Sequence, residues 1–245
     1  MYKFFYGVSE MEQNAKENLT RVSDGKLYEL HDMVKVGCHD CAGCSLCCQD
    51  MGTSITLDPY DAFRLTRGLH QTFEQLLTGP VELHVEDGLI LPNLKMKAIS
   101  APVGNAHAPA ATTACTFLDQ DRRCSIHAHR PGLCRIFPLG RNYDGDTLNY
   151  FLLVNECPAE NKTKMKVEKW IDTDRLRENQ DFLLAWHDFT KKIRALIGTQ
   201  LTDDALIKQL NMALLHIFYL TPYQSENFYA EFQERLEKGK QLIRV

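Results

Sequence analysis

Cys38-His39-Asp40-Cys41-Ala42-Gly43-Cys44-Ser45-Leu46-Cys47-Cys48 places five of the nine cysteines of the chain within one short run. Cys38, Cys41, Cys44 and Cys47 recur at every third position. Two-residue spacers let a loop fold its thiolates around one soft ion or cluster, as in zinc knuckles and bacterial ferredoxins. One Cys-x-x-Cys is a modest signal, whereas three overlapping ones with Cys48 adjoining are a strong one. Neighbours this close cannot form several disulfides of normal geometry at once, and nine is an odd number. The run therefore predicts a loop-dominated cysteine domain organised by a ligand rather than by cross-links.

Four later cysteines extend the set: Cys115, Cys124, Cys134 and Cys157. The stretch from Cys115 to Cys124 suggests a short turn that carries two thiols back toward each other. Cys134 lies between Arg130-Pro131 and Arg135-Ile136-Phe137-Pro138, where prolines stiffen the backbone and lower the entropic cost of forming a site. A four-thiolate zinc site or an oxidised four-iron cluster carries a net charge of about −2. Arg122, Arg123, Arg130, Arg135 and Arg141 crowd the same stretch and could offset that charge. His39, His127 and His129 are alternative ligands. Adjacent Cys47 and Cys48 project in different directions, so either they address two sites or one of them is structural. Nine thiols suffice for two four-thiolate sites with one left over.

The rest of the chain reads as an α-rich α+β protein. Leu19, Val22, Leu27, Leu30 and Val34 give the N-terminal arm a helical pattern that Gly25 interrupts. Asp58-Pro59 with Asp61, and Thr72 with Gln75, are helix starts; Gly79-Pro80 is a stop. The alternating segment Val81 to Leu91 flanks Asp87-Gly88, a favoured hairpin turn. Ala98 to Thr113, rich in Ala, Pro and Gly, reads as a loop. Beyond about Asn161 the character is helical. Trp170, Leu183, Trp186, Phe189, Ile193 and Leu196 mark one or two helices that Gly198 ends. Thr202 caps the next, with Leu206, Leu210, Leu214 and Phe218 running to Pro222. Phe228, Phe232, Leu236 and Leu242 mark the last. The expected division is a cysteine domain over 1–160 and a helical segment over 161–245 packed on it.

The 245 residues have a net charge of −4 and 44% hydrophobic residues. Enough apolar mass exists for a proper core, and no basic excess points to nucleic acid or an anionic membrane. No stretch approaches a membrane span, and the short apolar start lacks a cleavage site, so the chain is expected to be soluble and cytoplasmic. Thiols persist in that reducing compartment, which favours metal over disulfides.

Cys41-x-x-Cys44-x-x-Cys47-Cys48, Cys115-x-Phe117-Leu118, Cys124-Ser-Ile-His127, Arg130-Pro131, Cys134-Arg135-x-Phe137-Pro138 and Cys157-Pro158 together resemble the YkgJ-type cysteine-cluster family, described as zinc- or iron-chelating. The cluster is also similar to one in bacterial flagellin lysine N-methylases, where an iron–sulfur centre is implied. Cys38 is additional to the family pattern, and His127 stands where an aromatic is commoner. The Cys-x-x-Cys-x-x-Cys triplet with a distant Cys-Pro echoes the bacterial ferredoxin run, which favours a [4Fe-4S] cluster, one or two per chain, over Zn2+.

Three functions follow as expectations: a redox, sensing or structural metal module; a methylase-like enzyme acting on lysines of a protein substrate; and a metal carrier or maturation factor with a protein partner. The sequence has no phosphate-binding Gly-rich loop, Rossmann fingerprint, His-Glu-x-x-His helix or Gly-x-Ser-x-Gly elbow.

Overall fold

A computed structural model of the protein describes residues 21–37, 44–99 and 112–243. Along the chain the elements are β1 (Met33–Gly37), α1 (Pro59–Leu69), α2 (Phe73–Leu77), β2 (Val81–Glu86), β3 (Leu89–Leu94), β4 (Met96–Ala98), β5 (Thr113–Cys115), α3 (Gly132–Ile136), β6 (Leu139–Asp144), β7 (Thr147–Leu152), β8 (Thr163–Lys166), α4 (Val167–Ile171), α5 (Leu176–Thr199), α6 (Asp204–Leu215) and α7 (Phe228–Leu242). The described strands pair two by two into small sheets, β1 with β8, β2 with β3, β4 with β5 and β6 with β7. Small sheets among helices make the α+β class expected from the sequence. The chain divides into two compact units, each built from two stretches: Met1–Ile55 with Leu94–Asp174, and Thr56–Asn93 with Arg175–Val245.

In the first unit β1 runs antiparallel to β8, with Val34 opposite Met165 and Gly37 opposite Thr163. The helical reading of the arm is corrected at this point: Val34 belongs to a strand. Val34 and Val36, both fully buried, share one face at the strand period of two, and β-branched residues fit that pleated surface. Gly37 permits the close approach, since a Cβ there would lie 2.1 Å from Thr163 Oγ1. β6 and β7 form a hairpin in continuous register from Leu139 opposite Leu152 to Asp144 opposite Thr147. Tyr150 is buried on it, and its backbone exchanges hydrogen bonds of 2.7 and 2.9 Å with Tyr28. The segment expected to loop from Ala98 to Thr113 lies mostly outside the described residues, and its two ends are the ends of β4 and β5.

In the second unit both expected helix starts are capping boxes. Asp58 accepts from Asp61 N at 2.9 Å while Asp61 accepts from Asp58 N, and Thr72 and Gln75 exchange the equivalent pair. The Asp87-Gly88 turn has φ of 49° and 79°, the two positive values that a type I′ hairpin requires. Asn211 on α6 holds that hairpin: its Oδ1 accepts from Ile90 N at 2.7 Å and its Nδ2 donates to Gly88 O at 2.9 Å. The cap of α6 is Asp203, not Thr202; the carboxylate reaches the N–H groups of Ala205 and Leu206. Carboxylates are favoured there by both the open donors and the helix dipole.

The core of this unit is aromatic. Phe182 meets Phe232 edge-on at 4.6 Å and Phe228 at 5.2 Å, and Trp186 meets Phe218 at 4.9 Å. Gly239 on α7 lets these rings close, because a Cβ would stand 2.8 Å from Phe189 Cζ. A π turn, His216–Leu220, continues α6 toward Pro222. Buried Arg235 satisfies carbonyls in and just after this turn, donating to Ile217 O, Thr221 O and Pro222 O at 2.6–2.8 Å and to Glu231.

Candidate metal centre

The first unit gathers five cysteines around one cavity of about 430 Å³: Cys47, Cys48, Cys115, Cys124 and Cys134. Each arrives by a local device. Ser45, with φ of 53°, starts the 3-10 turn Leu46–Cys48. Just beyond it Gln49 bridges to Ala114, and the Asp50 carboxylate accepts from Thr113 N, Thr113 Oγ1, Thr112 N and Thr112 Oγ1 at 2.8–3.2 Å. The end of the cysteine run is thereby fastened to β5, whose last residue is Cys115, opposite Met96 of β4.

The turn expected between Cys115 and Cys124 is present. Leu118 and Cys124 pair in an antiparallel bridge, with Ser125 N on Phe117 O and Asp119 N on Arg123 O, each at 2.9 Å. Cys134 sits on the short α3 that follows Arg130-Pro131. Trp170 of α4 donates its indole N–H to Ile136 O at 2.9 Å and closes that helix's end.

The other cysteines differ. Cys44 and Cys157 are not among the cavity walls; their carbonyls accept from Arg122 Nη2 at 2.9 Å and Lys162 Nζ at 2.7 Å. Cys38, Cys41 and His39 lie outside the described residues. All seven described cysteines are free thiols.

The five cavity thiols influence one another. A hydrogen bond from Cys48 lowers Cys47 to about 7 against the opposing effect of burial, with Arg130 assisting. The same bond pushes Cys48 up, as do burial and the nearby Cys47, Cys134 and Cys115. Burial raises Cys115 and Cys124, against backbone N–H donors at Phe117 and Ile126. Cys47 is thus the more readily ionised of the Cys47–Cys48 pair, and a metal bound among these thiols would favour their ionised forms.

Four of the five expected arginines line the cavity: Arg122, Arg123, Arg130 and Arg135. Arg141 instead lies on β6. Arg135 is buried at 4% exposure, whereas Arg123 is exposed. Arg122, at φ 61°, clamps the start of the cysteine turn through Cys44 O and Ser45 Oγ. Arg130 Nη1 stands 2.5 Å from His127 Nε2. A guanidinium only donates, so that ring nitrogen accepts here. His129 is not a wall of the cavity.

Among the described residues no three His, Cys, Asp or Glu side chains stand as a finished coordination sphere. The thiols share a cavity and must close inward to hold an ion, which is how metal binding couples to folding. Five soft thiol donors fit zinc or an iron–sulfur cluster and do not fit Mg2+ or Ca2+, which take oxygen. Sequence reasoning missed the anchors: Ser45, Asp50 and Trp170, together with the apolar walls Met51, Met96 and Met165. Their roles arise from tertiary neighbours and leave no local spacing signal.

Residues 40–152 match the family model CxxCxxCC, described as a "putative zinc- or iron-chelating domain". No curated protein matches the chain, and no solved structure does. Among the described residues no helix is long and apolar enough to cross a membrane.

Proposed function

We propose that this protein is an iron–sulfur module, with Cys47, Cys48, Cys115, Cys124 and Cys134 as its central thiolates and Cys38, Cys41, Cys44 and Cys157 available to complete the set; the match of residues 40–152 to a model of zinc- or iron-chelating domains supports the metal-binding part of this reading. The observation that carries this reading is the convergence of five cysteines from three separate segments on one cavity. A mononuclear zinc site closes with four ligands at about 2.3 Å and leaves no space over. Five thiols around about 430 Å³ suit a larger, polynuclear group better. When bound, such a cluster supplies one-electron redox chemistry.

The residues of the chain then have defined tasks. Arg122 holds the cysteine turn, Arg130 favours ionisation of Cys47 and Cys124, and buried Arg135 offsets accumulated negative charge. The methionine and aromatic walls keep water away, which tunes the potential of a bound cluster. The reducing cytoplasm suits free thiols in this density. Protein isolated without oxygen is expected to be coloured, with broad thiolate-to-iron absorption that bleaches on reduction. A colourless protein with full metal occupancy contradicts the reading.

A further inference from the structure

The β1–β8 ribbon has two unlike faces. Val34 and Val36 are buried on one of them, and the ribbon's Gly37, Thr163 and Met165 belong to the wall of the thiol cavity. On the other face Lys35 stands opposite Lys164 and Met33 opposite Lys166, all four exposed and Met33 at 51%. Residues directly opposite in an antiparallel pair project to the same side, and like charges so placed repel. Among the described residues Lys35 and Lys164 have no carboxylate partner. The Glu168 carboxylate is shared between Lys166 at 3.3 Å and His31 at 3.1 Å, and that of Asp32 accepts from Glu29 N at 2.8 Å. Lys162, Lys164, Lys166 and Lys169 thus crowd eight residues of a chain whose net charge is −4.

We propose that this basic face docks a small acidic electron-carrier protein, with Lys35, Lys164 and Lys166 meeting its carboxylates and Met33 supplying apolar contact beside them. Carboxylates brought by the partner relieve the repulsion that the Lys35–Lys164 pair imposes on the ribbon. Lys164 lies between Thr163 and Met165 in the chain, both cavity walls, so a carrier seated on the lysines stands beside the thiol group. One electron crosses there: the carrier is oxidised by one, the cluster is reduced by one, and no bond forms or breaks. Electron-transfer encounters are among the smallest protein interfaces, a scale that strands of five and four residues can offer. The charged positions of both strands are all lysine, whereas the phosphates of nucleic acid are matched best by arginine forks. The inference rests on the iron–sulfur reading, since a redox centre is what an electron carrier docks to reach.

The test is calorimetric titration of the full-length, anaerobically isolated protein with flavodoxin and with a plant-type [2Fe–2S] ferredoxin, two acidic one-electron carriers. A DNA duplex and phosphatidylserine vesicles are the competing polyanions, and every sample is assayed for iron, zinc and sulfide. Saturable binding of at least one carrier, weakening as salt rises, is expected, with neither duplex nor vesicles bound. Lys35→Glu combined with Lys164→Glu should weaken it about tenfold or more. Lys164→Glu alone turns repulsion across the strands into attraction, so it should raise the melting temperature while weakening binding. Binding of neither carrier, tighter binding of duplex or vesicles, or unchanged affinity in the double variant overturns the proposal. A melting temperature lowered by Lys164→Glu does so too, because the lysine would then serve the fold. Samples with zinc and no sulfide fail the iron–sulfur reading instead, and the calorimetry still decides docking separately.

Discussion

Leu118 and Cys124 pair across an antiparallel bridge, and this closes the turn that returns Cys124 to the cavity lined by Cys115. The pairing is backbone to backbone, so the thiol remains free for the cavity. Cys124→Ser keeps the turn and removes one soft donor. We expect it to retain the fold when metal is absent but to lose metal-dependent stabilisation. Melting temperatures with and without chelator check this: the chelator should lower the wild type and leave Cys124→Ser nearly unmoved.

Asp50 fastens the end of the cysteine run to β5 through four hydrogen bonds from Thr112 and Thr113. Asp50→Ala should lower stability by about 2 kcal/mol, the scale for hydrogen bonds to a charged group. Asp50 has φ of 50°, and Asn tolerates that conformation where Ala does not. Asp50→Asn therefore separates the loss of charge from backbone strain and should fall between the two in urea unfolding.

Arg122→Ala frees Cys44 O and Ser45 Oγ and loosens the start of the turn that presents Cys47 and Cys48. The expected loss is about 1–2 kcal/mol, together with weaker metal retention in competition with a chelator. Unchanged retention would place the clamp outside the site's assembly.

Arg235 and Glu231 tie α7 to the end of the π turn. Burial would raise Glu231, but the N–H donors of Ser225 and Gln224 and the Arg235 guanidinium outweigh it and hold the carboxyl below its usual value of 4.5. A depressed carboxyl contributes stability that is fully present above the unfolded value and is lost as pH falls through the folded one. Wild type should thus exceed Glu231→Gln in stability at neutral pH, with the gap closing below about pH 4.5. Arg235→Ala should cost about 2–3 kcal/mol, since it leaves three carbonyls and the part-buried Glu231 carboxylate without the guanidinium.

Local chemistry made much of the fold readable. Asp58, Thr72 and Asp87-Gly88 act through neighbours one to three residues away, so their caps and turn follow from sequence directly. Cap choice between Thr202 and Asp203 differed by one residue, because both types satisfy the same donors. The β1–β8 pair was illegible. Val34 and Val36 find their partners in Met165 and its neighbours, far along the chain, and a five-residue strand carries too few positions to outweigh a helical spacing. In the candidate site, spacing marked the cysteines as a group, and the turn expected between Cys115 and Cys124 is present. Spacing could not tell that Cys44 and Cys157 stand outside the cavity wall, since that depends on how their segments are placed in three dimensions.

The central claim is most directly tested by measuring iron, zinc and acid-labile sulfide per chain in protein isolated anaerobically. Iron and sulfide in equal amounts, about four of each per cluster, with little zinc, is the predicted result. Stoichiometric zinc without sulfide would contradict it.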